Sequence, residues 1–374
     1  MKRLHILLLP VIFLLLLFLQ GSFTNKTILA AENLTERQSY PILKEWKEPD
    51  EKVTSATFTA AGDVLIHSPL YMDAETSPNH YNFDPMIQDV KGALSQSDLT
   101  LVNQETMIGG VQLGLSTYPA FNSPFEVADS LKNAGIDIVS MANNHALDKG
   151  EKGILNAVSH YHKLCLPYLG AYASQKDADT IRVIEKDGIR FGFLAYTYGT
   201  NGYKVPKNKP YLVSLINKPK MAKDLAKLKK IADVSVVMIH WGTEYERLPN
   251  KDQRELARFL SDHGADLIMG SHPHVLQPME WLKQKDGKKS LVVYSLGNFL
   301  SGQSGEYKVI GGIISIEVKK ISRGNYTAIK LMKPVFLPTI TVNKEHHHYQ
   351  VEKLSVVNRK KAEEIKKYVL QWIP

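Results

Sequence analysis

From about Thr57 onward the sequence alternates short, nearly unbroken apolar runs with longer segments of helical period, and no other feature narrows the possible folds as much. The strand-like runs cover 57–66, 136–142, 190–196, 234–240, 266–270, 291–296 and 310–318, and the helical patterns cover 124–134, 149–163, 218–231 and 251–263. A strand covered on both faces needs a continuous apolar run, whereas a helix packed on a sheet needs only one apolar stripe. The alternation therefore specifies α/β, with residues 54–340 forming one layered domain. With 374 residues, 44% of them hydrophobic, the chain has material for a large core. Residues 341–374 read as a C-terminal extension with a helix, and the Lys-rich stretches 218–230 and 358–367 as solvated helix faces.

The first thirty residues are of different material. Lys2 and Arg3 precede an apolar run from Leu4 to Leu19, broken by His5 and Pro10. A basic start and an apolar stretch of this kind fit a cleaved signal peptide or a short membrane anchor, since spanning the hydrocarbon takes about twenty residues. Ala30 and Ala31 offer a peptidase site, but Leu29 fits an A-x-A rule poorly, so residues 1–31 are read as a signal or anchor with the uncleaved anchor preferred. Either reading puts the domain on the extracellular side, secreted if the segment is removed. Residues 32–53 are polar and without a period, and read as a tether. The single cysteine, Cys165, lies far from the leader, which leaves lipoprotein processing no acceptor thiol and intramolecular disulfides no pair. The formal net charge is +8, part of it carried by Lys2, Arg3 and Lys26. Solubility accounts for such a balance as readily as attraction to an anionic polymer or membrane does.

Open α/β sheets place their sites at the carboxyl ends of strands, and here most apolar runs close on polar residues of metal-ligand type. In "FTAAGDVLIH" the small residues Ala60, Ala61 and Gly62 bring the backbone to Asp63, and "LTLVNQET" carries Asn103 and Glu105. "IVSMANNHALDKG" supplies Asn143, Asn144 and His145, with Asp148 just beyond; "VVMIHWGTEY" supplies His240 and Glu244. "GSHPH" supplies His272 and His274, and "VVYSLGNFL" supplies Asn298. One such residue is unremarkable, but Asp, Glu, Asn and three His at corresponding strand ends imply a shared polar site. Oxygen and imidazole ligands suit Mn, Fe or Zn, and two adjacent cations need a carboxylate between them. Pro273 fixes its own φ and biases His272 toward an extended conformation, so both imidazoles are expected on a stiff loop.

In this order, "GDVLIH", "NQET", "ANNHALDKG", "HWGTEY", "GSHPHVLQPME" and "YSLGNF" resemble the motifs of CapA-type poly-γ-glutamate capsule-biosynthesis proteins over about residues 54–305. That family resembles the calcineurin-like metallophosphoesterases, which implies a four-layer α/β/β/α sandwich and a centre of two divalent metal ions. By the same resemblance, Asp63 would bind the first ion and Glu105 would bridge. Asn144, His240 and His272 would bind the second ion, and His274 would face the first. His145 would be the catalytic acid, a task suited to an imidazole, which ordinarily titrates at about pH 6.5. Asn103, Asn143, Glu244 and Asn298 are expected to contact substrate. The pattern is not followed everywhere: Leu65 stands where a histidine belongs, Glu105 where an aspartate belongs, and Ser271 where many relatives carry another histidine. His67, four residues past Asp63, is expected on the same strand face as Asp63.

Two functions follow. One is a surface-anchored, metal-dependent hydrolase acting on a phosphoester or amide of an acidic polymer; the other is a non-catalytic polyanion-binding subunit of a capsule assembly complex. The implied partners are poly-γ-glutamate or a similar anionic polymer, the membrane through the N-terminal segment, and other capsule synthesis subunits. Nucleic acid is not among them, since Lys and Arg form no single stripe interleaved with aromatics. The aromatic stretches 79–85 and 117–124 are candidates to line the cleft, and His346, His347 and His348 read as a solvated loop.

Overall fold

The computed structural model describes residues 50–374, which make one compact unit. The expected signal segment 1–31 and nearly all of the expected tether 32–53 lie outside the described residues. The tether's last residues, 51–53, already belong to the first strand.

The chain enters one sheet, crosses to a second, and returns to the first. It lays down β1 (Glu51–Leu65), β2 (Leu99–Gln104), β3 (Ile138–Ser140) and β4 (Tyr168–Leu169), which pair in parallel in that order. It then builds the second sheet from β5 (Arg182–Lys186), β6 (Ile189–Thr197), β7 (Val234–His240), β8 (Leu267–Ser271), β9 (Met279–Lys283) and β10 (Lys289–Val293). The order in this 6-stranded sheet is β9-β10-β8-β7-β6-β5, with antiparallel edges on a parallel centre. The return adds β11 (Asn298–Ser301), β12 (Ile310–Arg323), β13 (Tyr326–Leu331), β14 (Val335–Lys344) and β15 (His347–Lys353). The resulting 9-stranded sheet runs β15-β14-β12-β1-β2-β3-β4, with β11 also on β1 and β13 also on β12.

Strand periodicity sorts the core into layers. Phe58, Leu101 and Ile138 of the large sheet meet Phe191, Val236 and Met269 of the small one, and Phe58 lies 6.3 Å from Phe191. The alternate residues face outward onto helices. Val102 and Val139 pack on α1 (Glu126–Asn133) and α2 (Gly150–Lys163), while Val237 and Ile268 pack on α3 (Lys218–Leu228) and α4 (Lys251–Asp262). The order is therefore helix, sheet, sheet, helix, as expected. Helix α4 shows how local signals start an element. Asn250 accepts from the Gln253 backbone N–H, the Gln253 side chain accepts from Asn250 in return, and Leu256, Ala257 and Leu260 form its buried stripe.

Two expectations change at the C-terminal side. The boundary at 340 falls inside β14, and the last helix α5 (Arg359–Val369) inserts Ala362, Ile365 and Val369 into the core between the sheets. Residues 341–374 are thus part of the domain, because a sheet edge and an apolar stripe both need cover. His346, His347 and His348 are exposed, but His347 and His348 begin β15, tied down by Asp73, which accepts from the His348 and Tyr349 backbone N–H groups. Among the described residues no helix is long and apolar enough to cross a membrane.

Candidate metal centre

The parallel strands of both sheets deliver their carboxyl ends to one place. In β1 the pairing register shifts between Ala61 and Asp63, so Gly62 is a bulge that re-aims Asp63. Only glycine fits there, since a Cβ would meet the Gly297 carbonyl oxygen at 2.1 Å. Strand β1 ends at Leu65, and His67 caps the following helix Ser68–Ala74 instead of continuing the strand. The expected face-sharing of His67 with Asp63 is therefore wrong; the His67 ring packs edge-on to Phe121, 5.2 Å away.

Asp63 and Glu105 are completely buried. Asp63 accepts from Asn103 Nδ2 at 2.9 Å and from the His272 backbone N–H at 3.2 Å. Both carboxylate oxygens of Glu105 have no hydrogen-bond partner, an arrangement that costs a few kcal/mol unless something positive meets them. Burial, then the neighbouring Asp63, pushes the Glu105 carboxyl well above the usual range, and burial raises Asp63 as well. Glu105 Oε1 lies 3.6 Å from His240 Nε2 and 3.6 Å from His274 Nε2. Those gaps are too long for hydrogen bonds, and are about what two donors keep when each sits ~2.1 Å from one cation.

The ligand atoms fall into two overlapping groups that share Glu105: Asp63, Glu105 and His274, and Glu105, His240 and His272, each within 4.8 Å. Asn144 joins the second through Oδ1, 2.9 Å from His240 Nε2. Burial holds His240 well below the ordinary imidazole range, His272 at about 4, and His274 at about 3 with the further help of His272. At neutral pH all three are uncharged and keep a lone pair to give, as metal ligands must. The donor set and the orphaned Glu105 oxygens thus fit a bound metal, with Glu105 common to both groups.

A second set of side chains aims these ligands. Ser271, at the position where a further histidine was expected, bonds His240 Nδ1 at 2.9 Å and turns Nε2 inward. Asn298 Oδ1 lies 3.0 Å from His274 Nδ1, while its amide nitrogen donates to Gln303 Oε1 and the Lys308 carbonyl. Asn143 accepts from the His145 N–H and donates to the Gln104 carbonyl. Asn103, Asn143 and Asn298 are therefore buried residues with internal bonds, although the Asn103 Oδ1 keeps no hydrogen-bond partner. Asn298 also opens β11 instead of closing a strand. Glu244 alone of those four is exposed, and its carboxylate groups with His272 and His274.

His145 is held by Asp148: Nδ1 lies 2.7 Å from Oδ2, which also accepts from the Phe121 N–H. Phe121 presses edge-on against the His145 ring at 4.7 Å, so the 117–124 stretch does reach the site. In the 79–85 stretch, Phe83 instead joins the core between the large sheet and its helices. Asn201 went unnoticed in the sequence. Its Oδ1 accepts from Asn144 Nδ2 at 3.2 Å, fixing which oxygen faces His240, and its amide nitrogen lies 3.3 Å from His145 Nδ1. "YGTNG" after β6 is one more polar cluster closing an apolar run, so the signal was there.

The backbone of "GSHPH" differs from expectation. His272 has φ of 98° and His274 of 57°, so neither is extended. Proline biases its predecessor by only a small amount, and tertiary bonds overrule it here: His272 N–H donates to Asp63, and the Pro273 carbonyl accepts from the Tyr245 N–H at 2.8 Å. Positive φ at such residues costs on the order of 1–3 kcal/mol each and marks a site where geometry is imposed.

Comparison with known proteins agrees on the family. The family model described as bacterial capsule synthesis protein PGA_cap matches residues 57–303. The capsule biosynthesis protein CapA of Bacillus anthracis is 36% identical over 258 residues, 66% of this chain and 60% of that one. The PGA biosynthesis protein CapA of Bacillus subtilis (strain 168) is 34% identical over 198 residues, 52% of this chain and 50% of that one. The chain thus spans about half to three fifths of the length of these curated relatives. A crystal structure of a Thermus thermophilus protein superposes with a TM-score of 0.41 at 9% identity, over 70% of this chain and 94% of that one, too slight a likeness to argue from.

Proposed function

Since this chain belongs to the bacterial capsule synthesis protein PGA_cap family, we propose that it serves the making or export of an anionic capsule polymer such as poly-γ-glutamate, through a hydrolytic centre of two divalent ions. The observation that carries this reading is the Glu105 carboxylate, wholly buried, with both oxygens unpartnered, between two sets of neutral imidazoles. Asp63 and His274 would hold one ion, Asn144, His240 and His272 the other, and Glu105 both. Layering of helix, sheet, sheet and helix supports the metallophosphoesterase comparison made from the motifs.

When bound, the ions would lower the pKa of water and offset negative charge on a phosphoester or amide oxygen. The chain's own groups supply the rest. His145, its ring fixed through Nδ1 by Asp148 and against Phe121, presents Nε2 to the site and can hand a proton to a leaving group. Tyr198, stacked on His240, tilted against His272 and 48% exposed, would form a wall at the entrance where a polymer segment can lie. The N-terminal apolar run would hold the domain at the outer face of the membrane. A second reading, a polyanion-binding assembly subunit without catalysis, is favoured by Leu65, which leaves the first ion with fewer ligands.

The test is elemental analysis of the full chain in mild detergent beside Asp63→Ala and His272→Ala, followed by assay on phosphoesters and γ-glutamyl amides. About two equivalents of Mn, Fe or Zn, lost in the variants, with hydrolysis of one substrate class, is the expected result. A folded protein that holds no metal would overturn it, and metal without turnover would move the function to the second reading.

A further inference from the structure

We propose that Glu244 is a ligand of the first ion, closing the centre from its solvent side; this rests on the two-ion reading above. The protein supplies four groups to the second position, Glu105, Asn144, His240 and His272, but only Asp63, Glu105 and His274 to the first. The exposed Glu244 carboxylate lies with ligand atoms of His272 and His274 inside a 4.8 Å cluster. The histidines it joins belong to a centre with unpartnered buried atoms: both Glu105 oxygens, and Nδ1 of His272, a residue 3% exposed.

An exposed glutamate usually wanders, and holding it in one rotamer costs about 1–2 kcal/mol. Here the backbone that follows it is fixed. The next residue, Tyr245, donates its N–H to the Pro273 carbonyl between the two histidines, at 2.8 Å, and takes φ of 69° to do so. Gln277 Nε2 donates to the Glu246 and Leu248 carbonyls. The Arg247 guanidinium is clamped between the rings of Tyr307 and Tyr368, 3.8 and 4.1 Å from their centroids, and the Tyr368 hydroxyl donates to the Arg247 carbonyl. Helix α5 and the "GSHPH" loop together therefore pin the segment that carries Glu244. Charge points the same way. Asp63 and Glu105 offset only half of the charge of two divalent ions, so a third carboxylate is attracted when ions are present.

Full-length protein in mild detergent is loaded with cobalt(II), and its visible spectrum and its loss of metal to a chelator are compared with those of Glu244→Gln, Glu244→Asp and Glu246→Gln. Glu244→Gln should release one of two ions at about 10- to 100-fold lower chelator concentration and shift the cobalt bands as a ligand is lost. Glu244→Asp should fall between, and Glu246→Gln, whose carboxylate is outside the cluster, should match the unaltered protein. Unchanged spectrum and affinity in a folded Glu244→Gln would overturn the assignment while leaving the two-ion reading intact. An unaltered protein that takes up no cobalt would remove both.

Discussion

The two ends of the parallel strands carry the same residue types and use them in opposite ways. At the amino ends, four aspartates each accept the backbone N–H just before a neighbouring strand's parallel pairing begins: Asp98 from Thr57, Asp137 from Thr100, Asp233 from Arg190 and Asp266 from Ser235, all between 2.7 and 2.9 Å. At the carboxyl ends, Asp63 is partly satisfied, Glu105 is not satisfied at all, and three imidazoles face them without bonding them. Acidity and burial do not separate a functional carboxylate from a structural one. What marks Glu105 out is that neither of its oxygens has a hydrogen-bond partner inside the protein.

The sharpest way to break this comparison is to neutralise one carboxylate at each end. Glu105→Gln should cost the centre its shared ligand, so the full chain should fall from about two metal equivalents to one or none on elemental analysis. The metal-free variant should melt no lower than the unaltered metal-free protein, because the buried carboxyl it replaces makes no hydrogen bond that the amide could lose. A Glu105→Gln protein that keeps both ions, or melts far lower without them, would show Glu105 to be structural. His145→Gln probes the same end without touching a ligand. Turnover on the substrate found should drop by about 10²–10⁴-fold, with metal content unchanged.

Which parts of this were legible beforehand follows the same line between local and tertiary causes. Val234–His240 was readable to the residue because a strand buried on both faces leaves an unbroken apolar run. That Asp63, Glu105, His240, His272 and His274 share one place was readable because six strand ends carried unusual residue types together. His272 was misread as extended, since the bonds that impose its positive φ come from Asp63 and Tyr245, distant in sequence. The internal bonds of Asn103, Asn143 and Asn298 were not legible, because an amide at a strand end looks the same whether it bonds substrate or a neighbouring side chain. The last thirty residues looked like an appendage, since nothing local announces that β15 pairs with β14 and that α5 fills a core.

At the other end, Asp266 offers the matching substitution. It is half-buried, and its two oxygens accept from the Ser235 N–H and from Gln284 Nε2. Asp266→Ala strands that buried N–H, and urea unfolding should report a loss of about 1–3 kcal/mol. Metal content should stay unchanged. Loss of metal without loss of stability would invert the assignment of the two ends.

The smallest effect expected, and the most specific in its sign, belongs to Asp233. Burial alone would raise its carboxyl, but bonds from the Arg190 side chain and backbone and from Lys320 outweigh that and hold it at about 2, against an ordinary 3.8. A carboxylate with a depressed folded pKa binds fewer protons in the native state than in the unfolded one. Its contribution is therefore complete above the ordinary value and disappears as pH falls through about 2. The Arg190 partner is largely exposed, so solvent screening reduces the contribution to about 1 kcal/mol or less. Urea unfolding of the unaltered protein and Asp233→Asn should differ by that amount near pH 5 and converge as the pH approaches 2. A gap that widened on acidification would mean that Asp233 is stabilised as the acid, and that the satisfied end of the sheet is held by something other than its paired carboxylates.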